Sequence, residues 1–221
     1  MGVYNLDIAG IDYSKNSPAV VILKLDNDFN IKDFDYIGFS SVKKIATSNN
    51  KILYYKKDQF NNDYDKAIWL RDCIMDKLSS VDFIAFEGYA FGASGKVFDI
   101  AETTAIMKVK LYEEGYPLRI YEPTVIKMFA TGKGNAGKVE MNEAYKKIFD
   151  PLELFQLPEL KSPKEDLIDA FYVCKLLQLE LKLRYGIIDL KSLPIKQIEI
   201  FNRCTKSNPT NILSRDFITK K

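Results

Sequence analysis

Short β-branched and aromatic runs at residues 4–12 (YNLDIAGID), 19–25 (AVVILKL) and 34–39 (FDYIGF), separated by turn-forming Ser, Asn, Pro and Asp, predict three antiparallel strands. Residues 42–57 (VKKIATSNNKILYYKK) interrupt this meander with five Lys and no acid. They read as a basic loop, an extra hairpin or a solvated insertion. From Tyr64 to Leu78, apolar Ile68, Cys73, Ile74 and Leu78 recur at near-helical spacing, widened by Trp69 and Leu70, and predict an amphipathic helix. Residues 81–87 (VDFIAFE) predict a buried strand, and the glycine-bearing GYAFGASG leads into a helix from about Val97 to Glu114, ended by Gly115.

Pro117 to Tyr121 predicts a further strand, and Pro123 starts a short helix through Phe129. The glycines of Gly132-Lys133-Gly134-Asn135-Ala136-Gly137 make a turn before a helix from Lys138 to about Phe149. After a Pro- and Leu-containing connection at 150–161, Ser162-Pro163-Lys164-Glu165 has the form of a capping box, with Ser at the cap and Glu three residues on, opening a long helix to about Arg184. Residues 186–221 carry weak, mixed signals and end basic, as an appendage or tail. This order predicts an α/β fold with a mixed five-stranded sheet flanked by helices, not a doubly wound parallel sheet.

A chain of 221 residues, 47% hydrophobic and 28% charged, suits one globular domain, over 1–185, with the insertion at about 42–57 and the appendage at 186–221. The net charge of only +2 means that a nucleic-acid partner must be argued from where Lys and Arg fall, not from their total. Cys73, Cys174 and Cys204 are dispersed and lack CxxC spacing, which indicates neither a disulfide framework nor a thiolate metal site and fits a reducing compartment. The N-terminus lacks the basic and apolar regions of a signal peptide, and no apolar run approaches the roughly 20 residues of a membrane span. The expectation is a cytoplasmic protein without a membrane partner.

The chain has no histidine. Its chemistry rests on carboxylates: Asp12 and Glu87 each end an apolar strand, and Asp166 and Asp169 lie three apart near the start of the long helix, so both project from one face. Each has a bland alternative, a turn acid for Asp12, a strand-end charge for Glu87, a helix-start acid for Asp166 or Asp169. Together they form an all-oxygen donor set, which suits Mg²⁺ or Mn²⁺ rather than zinc. Such sets typically support metal-assisted attack on phosphate, with two ions roughly 4 Å apart.

Ile8-Ala9-Gly10-Ile11-Asp12-Tyr13-Ser14, Phe86-Glu87-Gly88-Tyr89-Ala90-Phe91-Gly92, Lys127 with Gly132 to Lys138, and Lys164-Glu165-Asp166-Leu167-Ile168-Asp169-Ala170 resemble, in this order over about residues 4–182, the RuvC-type Holliday junction resolvases of the RNase H-like superfamily, in their viral and phage branch. The resemblance implies an RNase H-like nuclease domain and a homodimer that cuts branched DNA in a metal-dependent reaction. It places two Mg²⁺ (or Mn²⁺) per site on Asp12, Glu87, Asp166 and Asp169. It also puts Lys127 and Lys138 beside the scissile phosphate and gives Tyr89, Phe91 and Lys133 to DNA. Surface lysines and core aromatics are the alternatives for these residues. Lys43 and Lys44, with Lys51, Lys56 and Lys57, offer a further strand-binding patch, and the helix at 97–114 offers Ile100, Ala101, Ile106, Val109 and Leu111 to a dimer interface. Phe171 stands where some members have a metal-binding His, and nothing marks a docking surface for the helicase partner of the bacterial enzymes.

The same acids also suit a nuclease acting on forks, flaps or RNA–DNA hybrid, and a non-catalytic junction-binding scaffold would keep the fold without the chemistry. An actin-like or sugar-kinase ATPase also begins with a strand-end Asp. It needs a longer chain and a phosphate-binding glycine loop after a strand.

Overall fold

The computed structural model describes residues 6–89, 97–148, 155, 157, 161–204 and 217–219. Its centre is a six-stranded mixed sheet in the order β4-β3-β2-β1-β5-β6. Strands β1 (Leu6–Asp12), β2 (Ala19–Leu25) and β3 (Ile31–Ser40) form the antiparallel meander, while β5 (Phe83–Glu87) runs parallel to β1 and β6 (Leu118–Tyr121) parallel to β5. The sixth strand comes from the basic segment. That segment forms a short helix, α1 (Lys43–Ser48), and then β4 (Ile52–Tyr54), which pairs parallel to β3. A hairpin is therefore excluded: a helical connection returns the chain to run alongside β3. Apolar Ile52 supplies the buried anchor of this edge.

Two cores follow from the period-two alternation of the strands. Ala9, Ile11, Val20, Ile22, Ile84 and Phe86 face α2 (Asp63–Lys77) and α3 (Val97–Glu113), where Leu70, Ile74, Met107 and Leu111 close the layer. Leu111 is fully buried there, so it is unavailable to a dimer interface, whereas Val109 is exposed. The opposite face, with Ile8, Val21, Leu23 and Ala85, is covered by α6 (Lys164–Arg184). Helix α6 is buried on nearly every side because it lies between the sheet and an outer layer of α4 (Pro123–Thr131), α5 (Lys138–Lys146) and α7 (Ile195–Cys204). Ile200 and Phe201 of α7 are buried in this core, and Ile218 bridges to Leu118 at the edge of β6.

The start of α6 differs from the capping box that its sequence suggests. The cap position is Pro163, without a side-chain cap, and Ser162 Oγ instead donates to the Asp166 carboxylate at 2.6 Å. The helix begins one residue later than the capping box requires, so Ser162 lies before the cap position and its hydroxyl turns to the carboxylate of the first turn. Among the described residues no helix is long and apolar enough to cross a membrane.

Candidate active site

Strand periodicity aims the two strand-end acids. In β1, Ile8, Gly10 and Asp12 share the face toward α6, and in β5, Phe83, Ala85 and Glu87 share it. The parallel register pairs Ile11 with Phe86, so the next residues, Asp12 and Glu87, leave the sheet side by side. Helix α6 crosses this edge and brings Asp169, which is almost fully buried, to the same place. Asp12, Glu87 and Asp169 line one cavity of about 320 Å³ together with Lys127 of α4, Lys138 of α5 and Tyr89.

The turn between α4 and α5 sets the two lysines. Gly132 closes α4 in the left-handed region (φ 80°), donating its N–H to the Met128 carbonyl, and Glu140 accepts from Gly137 N at 2.7 Å to start α5. Lys138, the first residue of α5, then forms an ion pair with Asp169. Because this glycine segment joins two helices, it lacks the strand that a nucleotide-binding loop would follow.

The electrostatics are those of crowded acids. Burial, and after it the charges of Glu87, Asp169 and Asp166, push the Asp12 pKa well above the usual aspartate value. Glu87 is raised by burial, against its hydrogen bond with Asp12 and the nearby Lys138 and Lys127. Asp169 is raised by burial too, even with Lys138 beside it. Burial works against the charge of Lys138, but Asp169, and then Asp12 and Asp166, outweigh it and hold its pKa above the ordinary lysine value. Carboxylates that share a buried edge in this way retain a proton or take up a cation.

Asp166 stands apart from the cavity lining. It accepts from Ser17 Oγ at 2.9 Å and from Ser162 Oγ at 2.6 Å, so it acts on the site through its charge. Among the described residues no three acids stand close enough together to hold a metal ion as they are placed; Asp169 pairs with Lys138 and Asp166 with the two serines. The donor chemistry nevertheless fits a hard divalent cation: every candidate ligand is a carboxylate, and three of them converge on one open cleft whose mutual repulsion a cation would relieve.

Tyr89 is half-buried. Its hydroxyl donates to the Ala101 carbonyl at 3.5 Å, and its ring lies under Lys108 Nζ at 4.4 Å. Phe91 lies outside the described residues. Lys43 and Lys44 are exposed on α1, and Lys133 pairs with Glu140 at 3.2 Å; none of the three lines the acid cavity. Sequence reading missed Ser17 and Lys108, and it gave Ser162 to a helix cap rather than to Asp166. Ser17 carries no signal, being a turn serine whose partner is 149 residues away. Lys108 shows faintly, as a cation within the largely apolar stretch from Ala105 to Leu111.

No protein-family model matches the sequence, and no curated protein matches it. Among solved structures, Thermus thermophilus RuvC is similar at 16% identity, with 82% of this chain and 98% of that one covered and a TM-score of 0.51. The same protein in complex with a Holliday junction substrate gives 16% identity, 82% and 97% coverage and a TM-score of 0.54. A Fowlpox virus resolvase with its Holliday junction DNA gives 14% identity and a TM-score of 0.46, with 80% and 99% coverage, too distant to carry an argument. The chain has the RuvC-type RNase H-like fold.

Proposed function

We propose that this protein is a metal-dependent endonuclease that resolves four-way DNA junctions. The observation that carries the reading is the convergence of Asp12, Glu87 and Asp169 with Lys127 and Lys138 on one cavity, in a chain with the fold of RuvC. Asp12, Glu87 and Asp169, with Asp166 as the fourth acid, would hold Mg²⁺ or Mn²⁺, two per site, and such cations would supply activation of water and stabilisation of the leaving oxygen in phosphodiester hydrolysis. Lys138 exchanges its contact with Asp169 for a phosphate oxygen, and Lys127 opposes the negative charge that develops in the transition state. No side-chain nucleophile is required. Tyr89, fixed against α3, bounds the cleft and orders the strand at its mouth.

Two symmetric cuts need two identical sites, which a C₂ dimer supplies. The support for a dimer is the exposed apolar face shared by α2 and α3, where Tyr64, Ile68 and Val109 border a shallow groove and Tyr112 lies exposed nearby.

The test is cleavage of a labelled synthetic four-way junction beside linear duplex, Y-fork and RNA–DNA hybrid, each with Mg²⁺ and with EDTA. Mg²⁺-dependent cutting of the junction alone supports a resolvase. Cutting of forks or hybrid moves the same acids to another nuclease activity, and binding without any cutting makes the protein a scaffold.

A further inference from the structure

The turn between β1 and β2 separates the acid cavity from a second one. Ser17 faces the acids, donating to Asp166 at 2.9 Å, while the adjacent Asn16 faces away and accepts from Lys66 Nζ at 2.6 Å. The second cavity, of about 630 Å³, is lined by Asn16, Tyr55, Lys57, Asp63 and Lys66, among others. Its charge is unbalanced. Asp63, its one lining acid among the described residues, is already engaged by Lys15 at 2.6 Å. Neither Lys57 nor Lys66 has an ion-pair partner among the described residues.

Lys66 is held in place without a counter-charge. Its ammonium lies 4.7 Å from the centroid of the Tyr55 ring, and the Tyr55 hydroxyl donates to the Asn16 carbonyl at 2.7 Å, so ring, turn and lysine form one unit. Burial first, and then the neighbouring Lys15 and Lys57, hold the Lys66 pKa below the ordinary lysine value against the pull of Asp63. An anion entering this cavity meets two cations that have no other carboxylate to release.

The rest of the basic segment is differently placed. Lys51 is engaged by Asp35 at 2.8 Å and stands 4.8 Å from the Tyr36 ring centroid, and Lys43 and Lys44 border none of the cavity. The covalent and hydrogen-bonded path from Lys66 over the turn to Asp166 is no longer than about 15 Å, given about 3.8 Å between adjacent Cα atoms. That is a few nucleotides of a strand at about 3.4 Å rise each.

We propose that the cavity of Lys57 and Lys66 binds a phosphate of the DNA strand that continues from the acid site, a contact away from the bond being cut. The proposal rests on the nucleic-acid reading above and adds to it a strand path across the β1–β2 turn. A phosphodiester suits the cavity because it is a compact, permanent anion that two ammonium groups can share.

The test measures binding of the full chain, in EDTA and over a range of salt, to a labelled four-way junction, a linear duplex and a single strand. Lys57→Ala is the principal variant because Lys57 is exposed and its loss leaves the fold intact; Lys66→Gln is the second. Each raises the dissociation constant about threefold to tenfold and lowers the slope of log K against log salt by about 1. If Lys57→Ala and Lys66→Gln bind with wild-type affinity and slope while the wild type cuts junctions, the phosphate site is overturned and the nuclease reading stands. Weakened binding in the variants of a protein that cuts no branched DNA supports the phosphate site and removes the nuclease reading. A wild type that binds none of the three nucleic acids overturns both.

Discussion

Gly10 of β1 and Ala170 of α6 meet backbone to backbone: a Cβ added at Gly10 would stand 2.3 Å from the Ala170 carbonyl oxygen and 2.4 Å from Cys174 N. No other residue type permits this approach. The closeness has a consequence one turn away, because Asp169 precedes Ala170 and Asp12 follows Gly10 on the same face of its strand. The helix must touch the strand for the acids on each to share a cavity.

Gly10→Ala therefore forces α6 away from β1. The variant loses at least about 1–3 kcal/mol of stability, from overpacking against backbone that cannot yield. Junction cleavage falls by about a hundredfold as the acids separate. Thermal melting and single-turnover cleavage check this together; a variant with wild-type melting and rate would show that the contact is dispensable.

Glu180 is fully buried and accepts from Arg119 Nε at 3.0 Å, Tyr121 Oη at 2.7 Å and Arg184 Nε at 2.8 Å, tying β6 to α6. Glu180→Ala removes the buried carboxylate that Arg119, Tyr121 and Arg184 share and costs about 3–5 kcal/mol. The urea midpoint should drop accordingly, and a drop corresponding to less than about 1 kcal/mol would mean that the network adds little.

Asp12→Asn removes one of the crowded carboxylates. Without divalent cation the variant melts at or above the wild-type temperature, because like charges no longer repel. With Mg²⁺ the wild type gains several degrees and the variant gains little, as binding to the folded state alone stabilises by mass action. Scanning calorimetry with and without Mg²⁺ separates the two, and an equal Mg²⁺ response in both proteins would remove Asp12 from the metal site.

Asp35 links β3 to Lys51 and to Lys77 at the end of α2. Burial works against its charge, but the two lysines win and hold its pKa at about 2, below the ordinary aspartate value of 3.8. A depressed folded-state pKa gives stability that is present above 3.8 and is lost as pH falls through about 2. Asp35→Asn is thus less stable than wild type at neutral pH, by about 0.5–1 kcal/mol for part-exposed pairs. The gap narrows as pH falls below 3.8 and closes only below about 2, as denaturation at stepped pH would show; a gap that persists below that pH would assign the difference to packing.

The meander, the α2 and α3 helices and the long α6 were legible because their apolar periods are long and their turns well marked. The β4 edge was not. Its three residues, Ile52 to Tyr54, are shorter than any pattern can resolve, and its pairing to β3 is a tertiary matter. Asp12 and Glu87 were readable as acids closing apolar strands and Asp169 as an acid near the start of a long helix, yet only the fold shows that they meet. The offset position of Asp166 was hidden, since it depends on Ser17, which no local pattern distinguishes from any turn serine. The cavity at Lys66 was hidden for the same reason: its turn, helix and strand-end residues are distant in sequence.

The most direct test of the central claim maps the cuts made by wild type and by Asp12→Asn on a four-way junction labelled on each strand in turn, with Mg²⁺ present and junction binding measured in parallel. The account predicts paired nicks at symmetric positions by the wild type alone, with binding retained in the variant. Cleavage by Asp12→Asn at the wild-type rate, or nicks without symmetry that occur equally on linear duplex, would contradict it.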